Sequence, residues 1–199
     1  NWDGGFPSIA IDLNNKVHYL SLNASASAIE YYNNTTGQFV KYWAAPWYNT
    51  NYPVLILDSN NKAHIFHIVI GSDLYYSTNQ SSSWVTTTVD STTTALIGSV
   101  ISADWDSNQK IHLCYYNTTN ADLKYATNSS GSWVATTVES TNSVGTFCAI
   151  GVDSLNKAHI SYIDATNYDL KYATNSSGSW VISTVYSTNA INFWTSLDV

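Results

Sequence analysis

The thirteen residues Asp-Leu-Lys-Tyr-Ala-Thr-Asn-Ser-Ser-Gly-Ser-Trp-Val occur twice, at Asp122–Val134 and again at Asp169–Val181, 47 positions apart. A catalytic motif needs stating once, whereas a structural unit that stacks on copies of itself is stated many times. The repeat extends well beyond the duplicated stretch. Short apolar segments end in aspartate at Asp12, Asp58, Asp106 and Asp153, and a fifth ends at Asp198, at spacings of 46, 48, 47 and 45 residues.

Each of the first four aspartates is followed by a polar turn and a Lys-x-His, which places His18, His64, His112 and His159 at one repeat position. A third segment follows (AIEYY, DLYYS, DLKYA, DLKYA), and a fourth opens on Phe39, Trp84, Trp133 or Trp180. Segments of five to seven residues rich in Val, Ile, Thr, Tyr and Trp, divided by Asn, Ser and Gly, predict four β-strands per repeat. The tight connections predict antiparallel up-and-down pairing. Asparagine in the Leu-Asn-Asn-Lys and Ser-Asn-Asn-Lys turns suits a left-handed backbone position otherwise given to glycine. No stretch sustains a helical period.

Four-stranded sheets at this period predict an all-β chain, a β-propeller of four-stranded antiparallel blades. The expected blades span approximately 7–48, 49–94, 95–143 and 144–189, with 190–199 the first strand of a further blade. The surplus first strand favours one propeller segment of a longer protein. The alternative is a four-bladed ring whose terminal strand docks elsewhere; a ring has no edge, and an orphan strand creates one.

The stretch VDSLNKAHISYIDATNYDLKYATNSSGSWV at 152–181 resembles the tandem propeller repeats of secreted and cell-surface proteins of archaea and bacteria. Those repeats read approximately Asp-Ser-x-Gly-Asn-x-His-Ile-x-Tyr-Tyr-Asp, then Asp-Leu-Lys-Tyr-Ala, then Trp. The likeness covers nearly the whole chain; blade 1 departs most, and Asn or Leu replaces the turn glycine. The resemblance implies the fold and an exported location, and says little about ligand.

Seven lysines and no arginine face fourteen acids, for a net charge of -7. Without the planar guanidinium fork and with few cations, the chain is a poor partner for nucleic acid, whose binding rests on phosphate neutralisation. The arginine clusters with which sialidases of this architecture grip a carboxylate are likewise unavailable. Charged residues are 11% of the chain, and a surface carried by Asn, Ser, Thr and Tyr suits an extracellular, cell, filament or virion surface. No apolar run is long enough for a membrane-spanning helix, so no membrane insertion is expected of this segment. The absence of Met suits a processed chain or a piece of a longer one. Cys114 and Cys148 lack metal-ligand spacing and leave two readings open, a disulfide or two buried thiols.

The repeated histidines invite a metal ring, but second strands stand too far from a propeller axis to share one ion. Packing against the next blade, with a hydrogen bond to aspartate or backbone, is the better reading, and no metal or other cofactor is expected. The repeated acids invite glycoside hydrolysis, yet a carboxylate ahead of a turn accepts backbone N–H groups. Catalysis needs an asymmetric constellation, and no catalytic residue is assigned.

Departures from the repeat are the places to look for ligand contacts. Asp104 and Trp105 interrupt the apolar first strand of blade 3, and His67 is extra. Trp84, Trp133 and Trp180 are candidates for stacking on sugar, weighed against packing between blades. Trp2, Trp43 and Trp47 lie outside the repeat. Asn-x-Ser/Thr sequons occur at Asn23, Asn33, Asn34, Asn79, Asn117, Asn128 and Asn175, and four of them (Asn34, Asn79, Asn128, Asn175) share the turn between strands three and four.

The expectation is a non-enzymatic extracellular recognition, adhesion or structural module of a glycosylated surface protein. Its expected partners are glycans, surface polymers, or further copies or blades of the same protein. The alternatives are a propeller lectin that binds glycans and a secreted carbohydrate-active enzyme with its catalytic groups in other blades.

Overall fold

The computed structural model describes residues 8–23, 27–46, 50–69, 73–81, 83–91, 100–187 and 194–199, with the backbone alone for 45, 46, 50 and 51. The described residues form sixteen strands in four sheets of four. Blade 1 runs β1 (Ile9–Ile11), β2 (Val17–Asn23), β3 (Ala28–Asn33) and β4 (Val40–Pro46). Blade 2 holds β5 (Thr50–Leu57), β6 (Ala63–Val69), β7 (Leu74–Thr78) and β8 (Val85–Asp90). Blade 3 holds β9 (Ile101–Trp105), β10 (Ile111–Asn117), β11 (Asp122–Thr127) and β12 (Val134–Glu139). Blade 4 holds β13 (Val144–Val152), β14 (Ala158–Asp164), β15 (Asp169–Thr174) and β16 (Val181–Tyr186). Within each sheet sequential strands pair antiparallel, as the short turns require.

The chain divides into two compact units, residues 1–91 with blades 1 and 2, and residues 92–199 with blades 3 and 4. In each unit the core lies between the two sheets. In the first, Leu20, Leu22, Ile29 and Tyr31 of blade 1 meet Leu55, Ala63 and Ile65 of blade 2. In the second, Cys114, Leu123, Tyr125 and Val138 of blade 3 meet Ile150, Ala158, Ile160 and Tyr162 of blade 4. Strands that meet a neighbouring sheet are buried along their length, as β6 and β10 are, whereas β16 is exposed at all six residues. Alternation in the first strands brings successive blades together: Ser8 Oγ accepts the Leu55 N–H at 3.0 Å, and Ser102 Oγ accepts the Ile150 N–H at 3.2 Å. Gly145, at φ +104°, lies where an added Cβ would stand 2.7 Å from the Leu123 backbone, so only glycine lets β13 approach blade 3 so closely.

Cys114 of β10 and Cys148 of β13 are joined as a disulfide that ties blade 3 to blade 4, with their Cα atoms 6.3 Å apart. This resolves the pair left open by the sequence. Of the expected first strand at 190–199, residues 194–199 are described, and they carry no ladder of their own. The segment nevertheless lies against blade 4: Thr195 Oγ1 donates to the Phe147 carbonyl at 2.6 Å, and the Trp194 and Phe147 rings are 5.1 Å apart.

Candidate functional site

Each blade concentrates its polar chemistry where the first strand turns into the second. One carboxylate oxygen of Asp12 accepts the N–H groups of Asn14 and Lys16, both at 2.8 Å. Asp58, Asp106 and Asp153 do the same with residues two and four positions on, at 2.8–2.9 Å. The turn then needs a left-handed residue, supplied by Asn15, Asn61, Gln109 and Asn156 at φ 58–62°. Asparagine also does what glycine would not. Asn61 Oδ1 accepts the Leu13 N–H of blade 1 at 3.2 Å, and Asn156 Oδ1 accepts the Ser107 N–H of blade 3 at 2.9 Å.

The second carboxylate oxygen faces the repeated histidine. His Nε2 to Asp Oδ2 distances are 3.3 Å for His18–Asp12, 3.4 Å for His64–Asp58, 3.5 Å for His112–Asp106 and 3.1 Å for His159–Asp153. The other ring nitrogen meets a third-strand tyrosine hydroxyl: His64–Tyr76 at 2.7 Å, His112–Tyr125 at 2.6 Å, His159–Tyr172 at 2.5 Å, and His18 with Tyr31. The histidine–tyrosine bond recurs in every blade, while the aspartate completes the line by a hydrogen bond in blades 1 and 4 and by a longer contact of 3.4–3.5 Å in blades 2 and 3.

Two of these tyrosines also receive the next blade. Trp84 packs edge-on to Tyr31 at 5.3 Å, and Trp180 packs edge-on to Tyr125 at 5.1 Å. Both tryptophans are half-buried between blades, and Trp133 is half-buried in blade 3.

The electrostatics follow from burial and these bonds. Burial alone would raise the Asp12 and Asp58 carboxyls, but two backbone N–H groups each and the adjacent histidine outweigh it and hold them below the ordinary range. Asp153 is lowered chiefly by the Lys157 N–H. Burial pushes the Tyr31 and Tyr125 hydroxyls up to about 12, so both remain donors at any physiological pH.

Burial lowers His64 and His112, and lowers His67 to about 4. His67 is 1% exposed on β6, stacked on Tyr75, and its Nδ1 has no hydrogen-bond partner among the described residues. A histidine lowered by folding takes its proton first in the unfolded chain. Stability therefore falls as pH drops from the ordinary value of 6.5 to about 4, by about 3 kcal/mol for this one group, and then levels off. His67→Phe is expected to remove most of that slope in urea titrations at successive pH values. A variant as acid-sensitive over this window as the natural chain would contradict the assignment.

Asp104 occupies a bridging position. Its Oδ1 accepts the Trp105 N–H and its Oδ2 accepts the Val152 N–H of β13, both at 2.8 Å, so the carboxylate ties the first strands of blades 3 and 4. Trp105 is half-buried beside it. The same blade pair is joined further out, where Glu139 at the end of β12 accepts from Tyr162 Oη at 2.5 Å and from Lys171 Nζ.

The sequons divide into two groups. Asn34, Asn79, Asn128 and Asn175 each turn Oδ1 onto the N–H of the residue before the repeated histidine, at 2.8 Å in all four blades. The sequon hydroxyls of Thr36, Ser81, Ser130 and Ser177 donate to the carbonyl two residues on. Turn geometry therefore accounts for the recurrence of both sequon residues. The four side chains are half-exposed, and their bonds run through Oδ1, not through the amide nitrogen that a glycan would use. Asn33 and Asn117 are buried at 7% and 1% exposure, and the Asn23 amide donates to Glu30 at 2.7 Å. Trp2 and Trp47 lie outside the described residues, whereas Trp43 stands 55% exposed on β4. Among the described residues no group of three His, Cys, Asp or Glu side chains is placed to hold a metal ion, and no helix is long and apolar enough to cross a membrane.

No protein-family model and no curated protein matches the chain in sequence. Solved structures do match in fold. SapL1 lectin, solved with α-methyl fucoside, superposes with a TM-score of 0.68 at 13% identity, over 94% of this chain and 65% of its own. The fucose-binding lectin of Aleuria aurantia gives 0.60 at 16% identity, over 94% of this chain and 63% of its own. The Penicillium chrysogenum α-L-arabinanase, solved with arabinobiose, gives 0.60 at 12% identity, over 92% of this chain and 66% of its own. The chain thus spans about two thirds of the length of each. Four four-stranded antiparallel sheets and these likenesses define the chain as a β-propeller.

Proposed function

We propose that the chain is a non-enzymatic, carbohydrate-binding β-propeller module of an extracellular surface protein. One observation carries the non-enzymatic part. The four repeated aspartates hold their turns and the four repeated histidines bond a tyrosine of their own blade, so the groups that recur at one position have structural work. Similarity in fold to fucose-binding lectins supports carbohydrate as the ligand class. The arabinanase among the similar structures keeps carbohydrate in common with the lectins while differing in chemistry.

An exported setting is supported by the disulfide, which persists where the medium is oxidising, and by the scarcity of charge. It also agrees with the resemblance to secreted and cell-surface propeller repeats. If the protein is glycosylated, Asn34, Asn79, Asn128 and Asn175 are the sites, since these amides are half-exposed at one turn of every blade.

The test of the reading is a glycan array probed with the natural chain. Retention of neutral glycans is the expected result, and no retention at high protein concentration contradicts it.

A further inference from the structure

Blades 3 and 4 share a polar bridge, in which Glu139 of β12 accepts from Tyr162 of β14 and Lys171 of β15. Strand register identifies the matching positions in blades 1 and 2. Glu139 lies opposite Leu123 in its ladder, as Ala45 lies opposite Ile29 in blade 1. Tyr162 lies opposite Lys171, as His67 lies opposite Tyr75 in blade 2. An alanine, an imidazole and a phenol thus replace the carboxylate, the phenol and the ammonium. Tyr75 stacks on His67 with centroids 5.6 Å apart, and its hydroxyl donates to Asp73 of its own blade at 3.4 Å.

Alternation along β6 puts His67 on the same side as Ala63 and Ile65, which pack on blade 1. His67 is closed to solvent, and its Nδ1 has no hydrogen-bond partner among the described residues. Buried ring nitrogens are costly to leave unpaired, and protein interiors pair them with protein groups or with ordered water.

The neighbouring strand supplies further polar groups. The β5–β6 ladder passes from Asn51–Ile68 to Val54–Phe66, so Tyr52 and Pro53 bulge opposite His67. A bulge turns backbone groups off the ladder, and each carbonyl there has two lone pairs to offer. The layer is also lighter than its counterpart between blades 3 and 4. Buried Ala44 stands at the bulge position of Val138, and His67 is smaller than Tyr162.

We infer that His67 Nδ1 binds an internal water, which links blades 1 and 2 where the Glu139 carboxylate links blades 3 and 4. The inference is independent of the carbohydrate reading. An anion is disfavoured, because Tyr75 replaces the lysine that would balance it. A sugar ring is too large for a layer closed to solvent. Water both donates and accepts, so it suits either tautomer of the imidazole while bonding a bulge carbonyl. The link between blades 1 and 2 is then exchangeable, whereas blades 3 and 4 are joined by the protein's own charges.

The experiment is a high-resolution crystal structure of the natural chain, with water–protein NOE spectra in solution and His67→Phe as the comparison. Phenylalanine keeps a ring at this position and removes the polar atom. An ordered water within hydrogen-bond distance of His67 Nδ1 is expected, with an NOE from a long-lived water to the His67 ring. Loss of that water is expected in His67→Phe. A natural chain whose Nδ1 holds no water, or bonds directly to a protein group, overturns the site. The same water persisting in His67→Phe overturns the role of the imidazole, and an ion or organic solute in its place overturns water as the ligand. The crystal and the NOE spectra of the natural chain decide the site even if His67→Phe does not fold.

Discussion

Tyr31→Ala is expected to cost about 3–5 kcal/mol of stability, the range for truncating a large buried aromatic. Tyr31 is nearly fully buried, its hydroxyl meets His18, and its ring carries Trp84 from blade 2 and Tyr42 from its own blade. Truncation therefore opens a cavity, frees a buried histidine nitrogen and removes the support of the next blade. Tyr125→Ala in the second unit should cost a similar amount, since His112 and Trp180 meet it in the same way. Tyr172 is the internal control. It keeps the His159 bond at the same repeat position, but it is half-buried, and its described ring contact is with His159 alone. Tyr172→Ala should cost roughly 1–2 kcal/mol, a hydrogen bond plus partial burial. Denaturant titration of the three variants checks this, and equal losses at all three would contradict this account.

Breaking the Cys114–Cys148 bridge should destabilise the second unit by about 3–4 kcal/mol, the loop-closure value for a separation of 34 residues. Unit 1 contains no cysteine, so the effect should be confined. The Cys114→Ala/Cys148→Ala double variant, followed by hydrogen exchange, should lose protection in β10, β13 and β14 while β2 and β6 keep theirs. Uniform loss across both units, or none, would contradict that placement.

The repeat made the architecture readable because stacked blades must restate their strand pattern. The Asp turn and the left-handed asparagines were visible for the same reason: each is a local solution within four or five residues. Partners that depend on strand register were not visible. His18 lies opposite Asn33 in the ladder, and only that register brings Tyr31 to its Nδ1. The Asp104 bridge was hidden likewise, because alternation says which side a residue faces but not that a Val152 N–H stands there. The turn sequons carry two readings at once, since a turn that needs Asn Oδ1 and a Ser or Thr hydroxyl writes the same letters as a glycan acceptor. Blade 1 was recognisable as the outlier from AIEYY against DLKYA.

We propose that this propeller holds sugar without transforming it. The most direct measurement incubates the full chain with the neutral oligosaccharides it retains and weighs the recovered glycan by mass spectrometry. The account predicts saturable binding with every glycan recovered at its starting mass. Products shortened by hydrolysis or carrying a new double bond would contradict it.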